Sequence, residues 1–169
     1  MKVVLSKEQI AKRIYELGQE ISRDYKGKKL IVVCILKGAV VFFADLIRAI
    51  DLEVEVDFVR LASYANQTHS SGKVVFSKDM ELSVEGKHIL FVEDIVDTGY
   101  TIAYLQKVMS ARNAKSIKVC ALIDKKERRQ VEVEVDYVGF YIPHGFLVGY
   151  GLDYAEKYRN LPGVYELNL

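Results

Sequence analysis

The sequence has little of three things, and each shortage excludes a class of protein. Cysteine occurs only as Cys34 and Cys120, both within apolar runs, so free buried thiols are expected rather than a disulfide or a metal pair. Neither sign of charge dominates, and the formal net charge of +1 provides no general attraction to nucleic acid or to a membrane surface. No apolar run reaches membrane-spanning length, and residues 1–8 lack the apolar segment of a signal peptide. We therefore expect a cytoplasmic protein with no nucleic-acid or membrane partner.

What the sequence does contain is the pattern of an α/β protein. Its 169 residues, 50% hydrophobic and 28% charged, suit a single domain over residues 1–169 with a full core. A continuous apolar run at 30–36 predicts a buried strand, residues 116–123 predict another, and alternation at 53–59 predicts a half-exposed strand. A Ser6–Gln9 capping box followed by apolar residues at helical spacing predicts a first helix, and residues 39–50 predict a second. Strands separated by helices predict a doubly wound, mainly parallel sheet with helices on both faces and ligands at the carboxyl ends of its strands.

Three stretches depart from this alternation. Residues 62–73 are polar and predict a loop, whereas residues 136–151 are rich in glycine and aromatic residues and predict short strands. Residues 160–163 predict a turn before a last short strand.

The most informative stretch is His-Ile-Leu-Phe-Val-Glu-Asp-Ile-Val-Asp-Thr-Gly-Tyr-Thr at 88–101. It begins as an apolar strand and leads into helical apolar spacing at 102–109, so its acidic residues lie beside the N–H groups of a helix N-terminus. Those N–H groups and the helix dipole suit a phosphate. Carboxylates suit sugar hydroxyls, a hydrated Mg²⁺ or proton transfer. The implied ligand is a phosphorylated sugar.

Asp97-Thr98-Gly99 alone is better explained by a helix cap and a turn. The complete stretch, however, resembles the phosphoribosyl pyrophosphate (PRPP) signature of type I phosphoribosyltransferases, two hydrophobic residues followed by Glu-Asp-x-x-Asp-[Thr/Ser]-Gly-x-Thr. The resemblance implies the type I fold, with a small hood of terminal and C-terminal short strands over the sheet. It also implies roles for the signature residues: ribose and hydrated Mg²⁺ for Glu93 and Asp94, the 5′-phosphate for Thr98, Gly99, Tyr100 and Thr101, and acceptance of the N7 proton for Asp97.

Lys37 and Gly38 follow the apolar run at 30–36, at the same predicted sheet edge as Glu93. In isolation they are explained as an exposed lysine before a glycine that starts a helix. Phosphoribosyltransferases of the hypoxanthine type carry Leu-Lys-Gly here, often with a non-proline cis peptide between the first two residues. The resemblance therefore assigns Lys37 and Gly38 to pyrophosphate, together with Arg159 near the end of the chain.

Lys125 stands in a charged run that is otherwise typical of a solvated face. The resemblance assigns it to O6 of a 6-oxopurine, and Arg129 in the same run is expected to reinforce the phosphate side. Residues 142–154 resemble the purine segment of the family. That match assigns base stacking to Phe146, backbone contacts with the purine edge to Leu147, and metal binding to Asp153 beside the purine, together with Glu93 and Asp94.

Ser63 and Tyr64 open the polar stretch and match the lid that folds over PRPP in the family. Two positions depart from the family pattern. Tyr100 stands where Lys or Asn is usual, in a loop that works through backbone amides. His144 replaces an Asp after Ile-Pro; a surface turn histidine is favoured over a functional titrating group.

The resemblance implies a purine salvage enzyme of the hypoxanthine (hypoxanthine-guanine) type. With Mg²⁺, it would transfer the phosphoribosyl group of PRPP to N9 of hypoxanthine or guanine, giving IMP or GMP and pyrophosphate, as a homodimer or homotetramer. Two alternatives stay open. A PRPP-sensing regulator that binds nucleic acid is disfavoured by the net charge of +1 and by the purine-binding set Lys125, Phe146 and Asp153. A preference for xanthine is harder to exclude, because the sequence does not define the carbonyl groups around the purine 2-position.

Overall fold

The computed structural model describes residues 1–63 and 74–169. Strands and helices alternate along these residues, as the sequence predicts. The helices are α1 (Lys7–Asp24), α2 (Val40–Ala49) and α3 (Tyr100–Ala111). The strands are β1 (Lys2–Leu5), β2 (Leu30–Leu36), β3 (Glu55–Ser63), β4 (Val74–Lys78), β5 (His88–Val96), β6 (Ser116–Asp124), β7 (Tyr137–Tyr141), β8 (Leu147–Val148) and β9 (Val164–Glu166).

Six strands form the main sheet in the order β4-β3-β2-β5-β6-β7. The pairs from β3 to β7 are parallel, and β4 joins the edge antiparallel to β3. Strand β2 and residues 89–92 of β5 are apolar and almost entirely buried because helices cover both faces of the sheet. Ile10, Ile14 and Phe42 of α1 and α2 pack on one face, and Leu105 and Met109 of α3 pack on the other. The predicted doubly wound sheet is confirmed.

The chain order reverses between β2 and β5. From β2 the chain moves outward to β3 and β4, and from β5 it moves the other way to β6 and β7. Loops that leave two neighbouring strands in opposite directions open a crevice between their carboxyl ends, which is where ligands bind in such sheets. The residues that follow β2 and β5 are those that the sequence assigns to the ligand.

Helix α1 begins with the predicted capping box. Ser6 Oγ accepts a hydrogen bond from the Gln9 N–H at 3.1 Å, and the Ser6 N–H donates to Gln9 Oε1 at 2.8 Å. These bonds satisfy two N–H groups that would otherwise lack partners at the helix start. The helix ends at Asp24, slightly earlier than predicted, and Gly27 with φ of +78° belongs to the turn that leads to β2.

A second, antiparallel sheet combines the two ends of the described chain. Its order is β1-β9-β8, with Val3 opposite Tyr165 and Val148 also opposite Tyr165. Gly163 lets β9 approach closely, because a Cβ there would lie only 2.5 Å from the Leu5 carbonyl oxygen. This small sheet is the predicted hood of terminal and C-terminal strands.

Two predictions about the chain need correction or completion. Strand β3 extends to Ser63, beyond the predicted end at 59 and into the predicted loop, because Ala62 and Ser63 pair with Val75 and Val74 of β4. The sequence did not predict β4.

Cys34 and Cys120 are both buried free thiols, as expected. Among the described residues no helix has the length and apolar character needed to cross a membrane.

Candidate active site

The turn after β2 and the start of the signature segment are in direct contact. A Cβ added at Gly38 would overlap Asp94 Oδ2, and one added at Gly151 would overlap the Gly38 carbonyl oxygen. The peptide bond between Leu36 and Lys37 is cis, as the resemblance suggests. Glycine is required at both positions because three chain segments meet here without room for side chains. The turn at Lys37, the β5 carboxylates and the C-terminal segment therefore form one site.

Glu93 and Asp94 lie at the buried end of this site. Glu93 is only 9% exposed and its Oε1 accepts from the Asp94 N–H at 3.1 Å, while Asp94 Oδ1 accepts from the Ile95 N–H at 2.7 Å. Burial, with the neighbouring Asp94 as a second cause, raises the pKa of Glu93 well above its usual value. Burial also raises the pKa of Asp94, against hydrogen bonds that lower it. Two adjacent acids held at this depth favour a ligand that brings hydroxyl donors or a cation.

The loop after β5 is held by hydrogen bonds from residues 130 and 131, and its N–H groups at the start of α3 are open to a ligand. The Thr98 carbonyl accepts from the N–H groups of Gln130 at 2.9 Å and Val131 at 3.1 Å. Gly99 has φ of +96° and lies so close to Val131 that a Cβ would overlap its carbonyl oxygen. No side chain among the described residues caps α3, which leaves its first N–H groups for a ligand. A cleft of about 90 Å³ lies here, lined by Glu93, Ile95, Val96, Asp97, Thr98, Gly99, Thr101 and Ile102.

One carboxylate oxygen of Asp97 has no hydrogen-bond partner among the described residues. Its Oδ1 is buried and has no hydrogen-bond partner among residues 1–63 and 74–169, whereas its Oδ2 lies 3.4 Å from Arg128 Nη1. A buried acceptor without a partner is costly unless a ligand satisfies it. The side chain thus suits a group that must accept a proton from a bound molecule.

Arg129 has a structural role that the sequence did not reveal. Its Nη2 donates to Asp124 Oδ1 at 2.5 Å, with side chains only 9% and 4% exposed. It also donates through Nε to the Asp97 carbonyl at 2.8 Å and through Nη2 to the Val96 carbonyl at 3.1 Å. The expectation that Arg129 reinforces a phosphate is therefore wrong: the guanidinium turns inward and supports the backbone of the signature loop.

The residues assigned to the purine lie around the ends of β6 and β7. Lys125 is 13% exposed, its N–H donates to the Val96 carbonyl at 3.0 Å, and its Nζ lies 3.9 Å from Glu127. Phe146 is 42% exposed, with its ring 5.5 Å from and nearly perpendicular to that of Tyr154. Leu147 is buried in β8. The site therefore offers an aromatic surface, a shielded ammonium group and the backbone of a strand.

The residues assigned to pyrophosphate converge on the other side. Arg159 Nη1 donates to the Gly151 carbonyl at 2.7 Å, and its Nη2 lies 3.4 Å from Asp153 Oδ1. Lys37 Nζ and Arg159 Nη2 lie 3.3 Å and 3.1 Å from the same oxygen, Oε1 of Glu156. The sequence did not single out Glu156.

The family follows from comparison with known proteins. Residues 2–155 match the family model described as the phosphoribosyl transferase domain. The chain belongs to this family. The resemblance on which the residue assignments were based is thereby confirmed.

Named relatives of this phosphoribosyltransferase fall into two groups. Hypoxanthine-guanine phosphoribosyltransferase of Bacillus subtilis is 49% identical over 161 residues, which are 95% of this chain and 89% of that protein. The bifunctional protein TilS/HprT of Listeria monocytogenes has the same identity over 161 residues, but they are only 25% of that protein. The chain thus spans about a quarter of the longer relatives it matches and most of the shorter ones.

Solved structures agree with this phosphoribosyltransferase over almost its whole length. Hypoxanthine phosphoribosyltransferase of Staphylococcus aureus superposes with a TM-score of 0.96 at 42% identity, covering 99% of this chain and 91% of that one. Hypoxanthine-guanine phosphoribosyltransferase of Bacillus anthracis, solved with HEPES in its active site, superposes with a TM-score of 0.95 at 44% identity and covers 99% of both chains. The expected α/β fold with a second small sheet is confirmed.

The donor set of this phosphoribosyltransferase suits Mg²⁺. Within the described ranges, no group of three or more His, Cys, Asp and Glu side chains forms a complete metal cage. Mg²⁺ does not need one, because it binds through one or two carboxylates and otherwise keeps water and substrate phosphates. Glu93 and Asp94 on one side and Asp153 on the other provide carboxylates of this kind.

Three predicted features remain to be located. The lid pair falls outside the described residues, since Tyr64 and the side chain of Ser63 are not described. His144 is exposed beside Gly145, whose φ is +102°, which agrees with a surface turn. Tyr100 is the first residue of α3, where a backbone amide is available whatever the side chain.

Proposed function

We propose that this phosphoribosyltransferase transfers the 5-phosphoribosyl group of PRPP to N9 of hypoxanthine or guanine, giving IMP or GMP and pyrophosphate. One observation carries the proposal: Gly38 touches both Asp94 and Gly151, which joins the turn of Lys37, the acidic pair beside the open N-terminus of α3, and the C-terminal segment that holds Arg159. Relatives named for this activity share almost half of the sequence. A purine salvage enzyme uses each of these groups.

The sugar phosphate binds along the loop after β5. The N–H groups from Thr98 to Thr101 and the α3 dipole hold the 5′-phosphate, and Glu93 and Asp94 accept hydrogen bonds from the ribose hydroxyls. Because Arg129 and Val131 brace this loop, the phosphate position defines where C1′ lies relative to the base. Holding two reactants in a defined geometry accounts for much of the acceleration of a bimolecular reaction.

The leaving group binds at Lys37, Gly38 and Arg159. Negative charge increases on pyrophosphate as its bond to C1′ breaks, so cations already in place stabilise the transition state more than the ground state. Arg159 suits this role because its guanidinium is held by the Gly151 carbonyl and because its buried Nε–H has no partner among the described residues. Mg²⁺ bound by Glu93, Asp94 and Asp153 would neutralise further charge on the same group.

The purine is selected by Lys125, Phe146 and Leu147. Phe146 stacks on the flat base, and Lys125 donates to O6 of a 6-oxopurine. Adenine presents an amino group at the same place, which would leave the Lys125 ammonium facing another donor. Low exposure of Lys125 makes such a mismatch costly, because water does not replace the missing acceptor.

Asp97 completes the reaction. N9 forms a bond to C1′, the bond from C1′ to the pyrophosphate oxygen breaks with its electron pair, and the proton of N7 passes to Asp97. The buried Oδ1 without a partner among the described residues supports this assignment. Arg129 is a positioning residue, since it holds the Asp97 backbone and not the substrate.

Assembly and location belong to the same proposal. The resemblance to the family implies a homodimer or homotetramer. Light scattering of the purified protein measures this directly. Two buried free thiols fit a reducing cytoplasm.

The proposal is tested with a panel of six bases. Hypoxanthine, guanine, xanthine, adenine, uracil and orotate are each incubated with PRPP and Mg²⁺, and nucleotide and pyrophosphate are measured. We expect turnover with hypoxanthine and guanine and little with adenine or the pyrimidines. Faster turnover of xanthine would correct the base preference, and no turnover with any base would contradict the enzymatic proposal.

A further inference from the structure

A carboxylate of the protein itself occupies the space between the two cations assigned to pyrophosphate. Glu156 Oε1 lies 3.3 Å from Lys37 Nζ and 3.1 Å from Arg159 Nη2. Lys37 and Glu156 are 119 residues apart in the chain, so this contact joins the turn after β2 to the C-terminal segment. The proposed reaction gives Glu156 no task, yet it pairs with both groups that the leaving pyrophosphate needs.

A tight turn of the backbone places Glu156 at this position. Tyr154 and Lys157 exchange two backbone hydrogen bonds of 3.0 Å, and between them Ala155 and Glu156 have φ of +53° and +66°. Positive φ at both central residues is the type I′ turn, which usually carries Asn and Gly. The Glu156 N–H also donates to Asp153 Oδ2 at 2.9 Å. The side chain is therefore presented by a defined turn that is tied to a predicted metal ligand.

The charges around the site show what Glu156 does to an incoming anion. Lys37 and Arg159 supply two positive charges, and Glu156 and Asp153 supply two negative charges, so the group offers a phosphate little net attraction. The hydrogen bonds from Arg159 and Lys37 lower the pKa of Glu156, which keeps it anionic. A pyrophosphate that uses both cations must first displace this carboxylate.

We propose that Glu156 is an internal competitor of pyrophosphate. Its carboxylate pairs with Lys37 and Arg159 in the free enzyme, moves into solvent when PRPP or pyrophosphate binds, and returns as the product leaves. The Glu156 side chain is 65% exposed, so it can leave without opening the core. Its role is to lower the affinity for product and to speed its release. This inference rests on the proposed function, which assigns both cations to pyrophosphate.

The test compares pyrophosphate binding by wild type and by Glu156→Gln, using calorimetry with and without Mg²⁺. Glutamine keeps the size of the side chain but removes the negative charge that Lys37 and Arg159 share, and Asp153 stays as the acidic partner of Arg159. Since exposed ion pairs are individually weak, we expect a three- to tenfold lower dissociation constant, on the order of two such pairs, and a slower dissociation in stopped flow. Glu156→Asp keeps the charge on a shorter side chain and should fall between the two proteins. Glu85→Gln makes the same change in net charge before β5 and should behave as wild type.

The outcomes separate this inference from the proposed function. Unchanged or weaker binding by Glu156→Gln, while Lys37→Ala abolishes binding, would overturn the role of Glu156 and leave the pyrophosphate site intact. Equal tightening in Glu85→Gln would also overturn it, because net charge alone would then explain the result. If wild type neither binds pyrophosphate nor transfers to any base, the proposed function fails and this inference with it.

Discussion

Replacing Asp97 by asparagine removes a proton acceptor while keeping almost the same shape. The buried Oδ1, which lacks a partner among the described residues, is the atom that this change affects. We expect turnover to fall by about 10²–10⁴-fold, as is typical when a general base is removed, with nearly normal affinity for PRPP. Single-turnover rates and PRPP titrations measure the two quantities separately. Asp51→Asn, at an exposed position, is the control, and retention of more than about half of the rate by Asp97→Asn would show that the base assignment is wrong.

Lys125 and Lys126 provide a matched pair for testing base recognition. Lys125 is mostly shielded beside the end of β6, whereas Lys126 is exposed. Lys125→Ala should raise KM for hypoxanthine and guanine by at least tenfold, since a charged hydrogen bond to O6 is worth about 1.5–3 kcal/mol, and should leave KM for PRPP nearly unchanged. Lys126→Ala should change neither. An equal loss for base and PRPP would move Lys125 to the phosphate side of the site.

At the scale of elements, Arg129 connects the end of β6 to the loop after β5. Arg129→Ala would leave Asp124 charged and buried without its partner, so we expect the free energy of unfolding to fall by about 3–5 kcal/mol. The PRPP-binding loop should loosen as well, because two carbonyl contacts are lost. Urea denaturation and PRPP titration measure these effects. Arg128→Ala, whose side chain is 65% exposed, should cost no more than about 1 kcal/mol, and an equal cost for both variants would contradict the bracing role.

Strands and helices whose local sequence has a clear apolar pattern could be predicted from the sequence. Elements that form only by pairing with another part of the chain could not. Strand β2 is apolar throughout and β6 is apolar over residues 119–123, so composition alone identifies both as buried strands. Strand β4 is half exposed and exists because β3 offers it an edge, a relation that no local pattern records. The same reason hid the role of Arg129, whose contacts with Val96 and Asp97 lie 33 and 32 residues away in the chain.

At the scale of the molecule, the order of the strands explains why the site residues could be grouped from sequence. Parallel strands place their carboxyl ends at one edge, so motifs that follow β2, β5 and β6 must meet there. The charged relation between Glu156 and the cations escaped prediction for a physical reason. It depends on a turn with two residues at positive φ, which Ala155 and Glu156 do not suggest by residue type.

The buried acids of the site make the stability of the whole molecule depend on pH. Burial raises the pKa of Glu93 in the folded protein, so the proton is held more tightly in the folded state than in the unfolded state. The stability that this provides is fully present below the unfolded pKa, about 4.3, and is lost as the pH rises through the folded pKa. Glu93→Gln removes this ionisation. The variant should therefore be more stable than wild type at pH 8 and should match it near pH 4.

Urea denaturation of both proteins between pH 4 and pH 8 measures this difference. The hydrogen bond from Arg112 is the chief cause that lowers the pKa of Asp79, so the stability that this carboxylate provides is lost on acidification. Because the loss is the same in wild type and variant, it cancels from the comparison. Glu85→Gln changes the same charge at an exposed position and should show no such trend. A difference between Glu93→Gln and wild type that did not grow with pH would mean that the folded protein does not hold the Glu93 proton. We expect the variant to gain stability at pH 8 and to lose turnover, because the carboxylate that costs stability there is the one assigned to the ribose and to Mg²⁺.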